Sequence, residues 1–348
     1  MHPITDRARE LVAADLNTFL EARSGQVLDF PGVGPRLATR LADYAGAGKL
    51  LRGAMVCLGH WLIEPDRDVP HSCVRAGTAM ELLQSFFLIH DDIMDQDRLR
   101  RGLPAMHVQY ESDQPDDGTG AHYGVSMAIC VGDVAAFLAC DAIAGLDVAA
   151  QLRSELMQQF VQEVLRVGAA QMLDVHHGYI KDVPTEAIEL VYTYKTGRYT
   201  FSMPLSLGAR IAGADAATVT KLGRFGELVG QVFQVRDDYI GIFGSADSGK
   251  PVGGDIREDK KTLFRSMLLQ RLAPEDRLRK LFGAAEVSQD DIEQLRNAFV
   301  EHGVVRDVEL QLDRLDQQSQ EIIAELGFDQ RAADALRAVL NYNRTRLT

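Results

Sequence analysis

Cysteine is scarce in this sequence, positive charge is outnumbered, and no long apolar run goes uninterrupted. The four cysteines, Cys57, Cys73, Cys130 and Cys140, show no CxxC or Cys/His spacing of the kind zinc requires. Reduced, mostly buried thiols and a cytoplasmic location are the expectation. Lysine and arginine number 37 against 50 aspartates and glutamates, a formal net charge of −13. That balance excludes a general nucleic-acid binder, which needs a basic face to displace counterions, and a protein drawn to anionic membranes. Any basic site must be local. The N-terminal segment carries acids from Asp6 onward and has no continuous apolar stretch, so no signal peptide is expected. The most apolar stretch, VSMAICVGDVAAFLACDAIAGL, is broken by Asp133 and Asp141, which are costly in lipid, and no membrane span is expected. A series of alternating strands is missing too.

What the chain does have is helical periodicity. Apolar residues recur at three- and four-residue spacing over 5–22, 51–64, 72–97, 124–144, 149–177 and 215–243. The breaks between them are short and rich in Gly, Pro or Asp, as in DFPGVGP, EPDRDVP, ESDQPDDGTG and GSADSGKPVGGD. With 46% hydrophobic residues there is material for a substantial core. The pattern predicts one all-α domain over 1–348, a single large helical bundle of about ten or more helices.

Within that pattern the stretch FFLIHDDIMDQDRLRRG sets four carboxylates and three arginines directly after an apolar helical run. On a helix Asp91 and Asp95 share a face, with Asp92 at its edge. Such close carboxylates repel unless a cation lies between them, and oxygen-only ligands select a hard ion such as Mg²⁺; a solvated helix end is the plainer alternative. A calcium EF-hand is excluded, because Ile93 and Gln96 stand where a ligand and the turn glycine belong and Gly102 replaces the closing glutamate. RDDYIG at 236–241 echoes HDDIMD at 90–95, again near the end of an apolar run, which suggests two helices presenting acids to a common cavity. Cations follow at once as Arg98, Arg100 and Arg101, and others sit in GAGKLLRG, YKTGR and SGKPVGGDIREDKKTL. Mg²⁺-binding carboxylates beside guanidinium groups suit a diphosphate.

The sequence resembles the trans-isoprenyl diphosphate synthases, the family of farnesyl and geranylgeranyl diphosphate synthases. The likeness rests on DDIMD…RRG and FQVRDDYIG as the two aspartate-rich motifs, with GKLLRG, ELLQSFFLIHDD, VGDVAA, QMLD and YKTG in the family's order. It implies the type I isoprenoid synthase fold, a helical bundle around a central substrate cavity. It implies that Asp91, Asp95 and Asp237 hold Mg²⁺, with Mn²⁺ suited to the same donors, against the diphosphate of an allylic substrate, supported by Asp92 and Asp238. Arg100, Lys195, Lys250 and Lys260 would neutralise that diphosphate, and Thr196 and Gln234 would aim polar atoms at the reacting region. Lys49, Arg52, Gln84 and Arg101 would form a separate, metal-free pocket for isopentenyl diphosphate. Gln171 and Asp174 would line the space between. A homodimer is also implied. Four positions depart from the family pattern: Gly241 replaces the last acid of the second motif, Leu50 and Gly53 alter GKRLRP, and Gln84 stands where other members carry His.

Side chains lean toward a helix N-terminus, so Phe87 and Phe86 lie roughly 6–8 Å deeper than Asp91 along the axis. If the hydrocarbon grows down this helix, two rings form an early floor, which favours farnesyl diphosphate and next geranylgeranyl diphosphate. A class I terpene cyclase would carry an NSE-type second motif instead of DDYIG, and a non-catalytic regulatory subunit usually loses one aspartate motif. His90 reads as a packing histidine. The tail NYNRTRLT, with Arg344 and Arg346, reads as a frayed end, the alternative being a basic tail folded over the isopentenyl pocket as in some members of the family.

Overall fold

A computed structural model of the protein describes residues 3–26, 28–115, 118–244, 253–284 and 286–346. In chain order it begins with α1 (Pro3–Ser24), α2 (Gly34–Gly46), α3 (Leu51–Trp61) and α4 (His71–Met94). Two short strands, β1 (Leu99–Arg100) and β2 (Leu103–Pro104), lead to α5 (Met106–Glu111), α6 (Gly120–Ala144) and α7 (Ala150–Gly178). Next come α8 (Thr185–Val191), a π-helix (Tyr192–Ser202) and α9 (Met203–Ile211). The rest is α10 (Ala216–Phe243), α11 (Gly254–Arg257), α12 (Leu263–Leu269), a 3-10 turn (Arg277–Leu281), α13 (Gln289–Glu301), α14 (Val304–Leu326) and α15 (Gln330–Thr345). The all-α expectation holds, and the strands amount to one two-residue ribbon among the described residues.

The chain divides into two compact units, the first running to residue 160 and including 204–215, the second taking 161–203 and everything from 216 on. The first unit is built around α4, whose residues from Ser72 to Ser85 are buried almost all round, as in a core helix. It crosses α3 closely: a Cβ at Gly77 would lie 3.1 Å from the Gly53 Cα. Asp15 pins α1 to α4, taking bonds from Arg75 at 2.8 and 2.9 Å and from Thr78 at 2.6 Å. Burial opposes the charge on Asp15, but these bonds outweigh it and hold the carboxyl below its usual range. The ribbon pairs Leu99 with Pro104 and Arg100 with Leu103. Its turn, Arg101–Gly102, has φ of 56° and 76°, the left-handed pair that a tight hairpin requires.

In the second unit the π-helix lies against α10, where a Cβ at Gly230 would come 2.0 Å from the Gly197 Cα. The rings of Tyr239, Phe243, Phe264 and Phe299 pack with centroids 4.7–6.2 Å apart. Each fully buried ring contributes roughly 1.5–3 kcal/mol. Helix α13 starts on a capping box of Ser288 and Asp291, and α15 on the Asp329 cap of Ala332.

The thiols differ in part from expectation. Cys57 and Cys73 are buried and burial raises the Cys57 thiol to about 12, but Cys130 is exposed. Among the described residues α6 is long and apolar enough to cross a membrane. Its acids are engaged, however: Arg23 bonds Asp141 at 2.6 Å, and Asp133 lies 3.7 Å from His90.

Candidate active site

Asp91 and Asp92 close the last turn of α4 and Asp95 caps it. Negative charge beside the carbonyl end of a helix opposes the macrodipole at a cost of about 0.3–1 kcal/mol each, so propensity does not explain these acids. They divide the work. Asp91 is half-buried and Asp95 exposed. Asp92 is fully buried and bonds Tyr44 at 2.9 Å and Arg100 Nε at 2.6 Å, with a second, closer contact from Arg100 Nη2. Burial lifts Asp92 above the usual carboxylate range, against the pull of Arg100 and Tyr44. Arg100, expected on a diphosphate, is thus engaged with Asp92 and, at 3.3 Å, with Asp97.

The metal-free group gathers in the same unit. Leu50 caps α3 with φ 45°, a left-handed conformation that costs an ordinary residue roughly 1–2 kcal/mol, between exposed Lys49 and half-buried Arg52. A Cβ on Gly48 would come 2.9 Å from Arg101 Nη1, so the Arg101 guanidinium lies on the loop that carries Lys49. Gln84 is half-buried one turn along α4 from Glu81. Sequence reading missed Glu81. Its carboxylate, 4% exposed, accepts the Gly53 N–H at 2.7 Å, an orphan donor of the first turn of α3. Burial raises the Glu81 carboxyl, while the Gly53 N–H, Arg52 and Arg101 draw it down. Proline at 53 would lack that N–H, which accounts for one departure from GKRLRP.

In the second unit Asp237 and Asp238 sit in the C-terminal part of α10. Asp238 is 4% exposed and accepts bonds from Gln234 Nε2 at 3.0 Å and from the Tyr192 hydroxyl. Burial first, then the charge of Asp255, pushes its carboxyl up to about 8, so it keeps its proton at neutral pH. Thr196 donates to Gln234 Oε1 at 2.9 Å, and Tyr192 takes the Leu263 N–H at 3.0 Å. This relay ties the π-helix to α10 and α12, and irregular helix of that kind recurs at functional sites. Lys195, on the same π-helix, donates to Asp174 at 2.7 Å, and Gln171 is half-buried one turn earlier on α7. Asp237 is bonded by Arg346 at 2.5 Å, so the tail read as frayed is held.

Gly241 has a local reason. A Cβ there would fall 2.0 Å from Asp255 Oδ2, so the missing acid leaves room for another carboxylate carried by α11. Lys260 lies 3.6 Å from Asp255 and 3.0 Å from Glu258. Lys250 falls outside the described residues. Among the described residues no three His, Cys, Asp or Glu side chains cluster closely enough to hold an ion by themselves. Mg²⁺ usually takes one or two protein carboxylates and fills its sphere with water and substrate phosphate oxygens. The half-buried or exposed Asp91, Asp95 and Asp237 suit that role, and the protonated Asp238 does not.

Phe86 and Phe87 are half-buried, unlike the buried Leu82, Leu83 and Ile89 around them, with ring centroids 4.8 Å apart. His90 packs on Phe86 at 4.7 Å and bonds the Ile129 carbonyl at 3.3 Å, the packing histidine expected.

In each unit, then, an accessible acid stands beside a buried one with cations in the same unit. Residues 35–299 match the polyprenyl synthetase family. The geranylgeranyl diphosphate synthase of Saccharolobus solfataricus is 32% identical over 75% of each chain. The geranylfarnesyl diphosphate synthase of Aeropyrum pernix is 26% identical over 91% of this chain and 96% of its own. A solved geranylgeranyl pyrophosphate synthase from Corynebacterium glutamicum, complexed with isoprenyl diphosphate and magnesium, superposes with a TM-score of 0.90 at 28% identity, covering 98% of this chain and 99% of that one. The chain belongs to the polyprenyl synthetase family, and it is an isoprenyl diphosphate synthase of the trans-prenyltransferase class.

Proposed function

We propose that this enzyme joins isopentenyl diphosphate to an allylic diphosphate, dimethylallyl, geranyl or farnesyl, and releases diphosphate. The observation that carries the reading is the pair of acidic helix segments, Asp91 and Asp95 at the C-terminal end of α4, opposed by its dipole, and Asp237 in the C-terminal part of α10, each in a unit that also supplies cations. These three carboxylates would hold Mg²⁺, or Mn²⁺, which when bound neutralises a diphosphate leaving group. Lys195, Arg100, Lys250 and Lys260 would add positive charge as the allylic C–O bond breaks. Lys49, Arg52, Gln84 and Arg101 would seat isopentenyl diphosphate so that its alkene attacks the allylic carbon, and a proton then leaves the condensed chain, taken by the released diphosphate. Thr196 and Gln234 would set the polar wall of that region, with Gln171 and Asp174 beside it. Residues 1–348 would then act as one catalytic domain. Each substrate incubated alone, then both together with Mg²⁺, tests the reading: product and diphosphate are expected from the pair only. A cyclase would turn over the allylic compound alone, and a regulatory subunit would act on neither combination.

For product length we propose that Phe86 and Phe87 floor the growing chain and give farnesyl diphosphate; the names of the relatives favour geranylgeranyl diphosphate as the second reading. Phe86→Ala with Phe87→Ala should lengthen the products by one or more isoprene units on reversed-phase chromatography. An active double variant with an unchanged profile would remove the floor. We further propose a homodimer in the cytoplasm. Its support is exposed apolar surface, Phe137 on α6 at 75%, Leu165 and Met172 at 68% and 75%, spaced by seven along one face of α7, and Tyr179 just past the end of α7 at 88%. Light scattering should give twice the chain mass, and Phe137→Asp should lower it.

A further inference from the structure

The end of the described chain lies on the second aspartate pair. Arg346, the first residue past α15, carries a full charge yet its side chain is only 11% exposed. Its Nη2 is 2.5 Å from Asp237 Oδ1, and its guanidinium carbon is 4.0 Å from the ring centroid of Phe233, one turn earlier on α10. The helix before it is fixed, since Arg344 bonds Glu309 at 2.7 Å and Asp313 at 2.8 Å and Asn343 is buried. Arg346 is therefore a cation on a short, anchored tether. Its seat is incomplete. Only one nitrogen reaches Asp237, and Nε is buried without a hydrogen-bond partner, so the two-pronged geometry that makes such pairs firm is not formed. Asp238 is held by Tyr192 and Gln234, which leaves Asp237 as the more accessible acid of this pair.

We propose that Arg346 and a divalent ion compete for Asp237, so that the terminal arginine must let go before this carboxylate can serve as a metal ligand. The inference rests on the reading of Asp237 as a ligand and adds the occupant that the ion displaces. One carboxylate oxygen cannot accept a guanidinium N–H at hydrogen-bond distance and coordinate a small dication at about 2.1 Å along the same direction. The tether keeps the guanidinium at high local concentration whatever the metal level, and so sets a threshold for metal uptake.

Bound Mn²⁺ counted by electron paramagnetic resonance, with inorganic pyrophosphate present, reads this without turnover. In the full-length protein Arg346→Ala should tighten Mn²⁺ binding about three- to ten-fold, the scale of a stacked, partly exposed ion pair. A chain ending at Thr345 should behave alike and guards against an effect of the new side chain. Arg346→Lys, which keeps the charge, should stay within about twofold of the parent. In an Asp237→Asn background Arg346→Ala should change nothing. Equal affinity in the parent, Arg346→Ala and the shortened chain overturns the inference, as does a gain that persists in the Asp237→Asn background. If Asp237→Asn leaves Mn²⁺ binding of the parent untouched, the ligand reading fails and takes the inference with it.

Discussion

The two aspartate pairs look alike in sequence and are held by opposite means. In each, the first acid is accessible and the second is deep, Asp92 at 0% and Asp238 at 4% exposure. Asp92 meets the Arg100 guanidinium and a tyrosine, whose pull opposes the rise that burial imposes on its carboxyl. Asp238 meets a tyrosine and an amide, and among the described residues no cation bonds it; the nearby charge of Asp255 pushes further toward the neutral form. One buried acid is set against a cation and the other keeps its proton. The same dipeptide thus carries one half-buried ligand candidate and one anchor, and the anchor's chemistry depends on what the rest of the chain brings to it.

The comparison breaks most visibly in activity. Asp91→Asn and Asp237→Asn should each lower product formation on the order of 10²–10³-fold, as removal of one group stabilising a leaving charge does. Asp238→Asn, which swaps one neutral group for another at neutral pH, should stay within about tenfold in the same assay. Stability should rank the anchors the other way. Asp92→Asn strands Arg100 and should cost about 3 kcal/mol in urea unfolding, whereas Asp238→Asn, compared below about pH 4 where Asp238 is protonated both folded and unfolded, should cost about 1 kcal/mol. A pH series sharpens this further. Asp238 binds its proton more tightly folded than unfolded, so its contribution is complete below about pH 4 and drains away as the pH rises toward about 8. Between those limits the parent should lose stability relative to Asp238→Asn by up to about 1.4 kcal/mol per pH unit. A flat difference would show that Asp238 is ionised throughout.

The helices and both acid motifs were legible because each is a local signal: apolar spacing over two or three turns, then charge where the run should have continued. What the acids touch was not. Tyr44, Tyr192, Glu81, Asp255 and Arg346 come from distant stretches, and each reads in sequence as an ordinary core or surface residue. The departures became intelligible only through such partners. Gly241 appeared to be a lost ligand, and the structure shows the Asp255 carboxylate filling the space its side chain would take. The ribbon that sets Arg100 and Arg101 was missed because its strands are two residues long, although Arg-Gly at the turn was its one local trace. Arg344 and Arg346 were read as an end that frays, since nothing nearby in sequence announces that Asp237 is within reach.

The smallest expected effect concerns Glu81, the acid that no motif announced. It stands in the first unit as Asp238 stands in the second, buried, but its carboxyl is bonded to backbone and its neighbours are the cations Arg52 and Arg101. Its bond to the Gly53 N–H fixes the start of α3, and its carboxyl group faces two of the residues proposed for isopentenyl diphosphate. Glu81→Gln keeps the size and an oxygen for Gly53 while removing the acid. The cations should then sit less firmly, raising KM for isopentenyl diphosphate about tenfold, since loss of uniform binding appears in KM rather than kcat. The KM for the allylic substrate and kcat should move by less than about threefold. A fall in kcat with both KM values unchanged would place Glu81 in service of the reacting carbons instead, and would dissolve the division between the metal-bound and metal-free diphosphates on which its role depends.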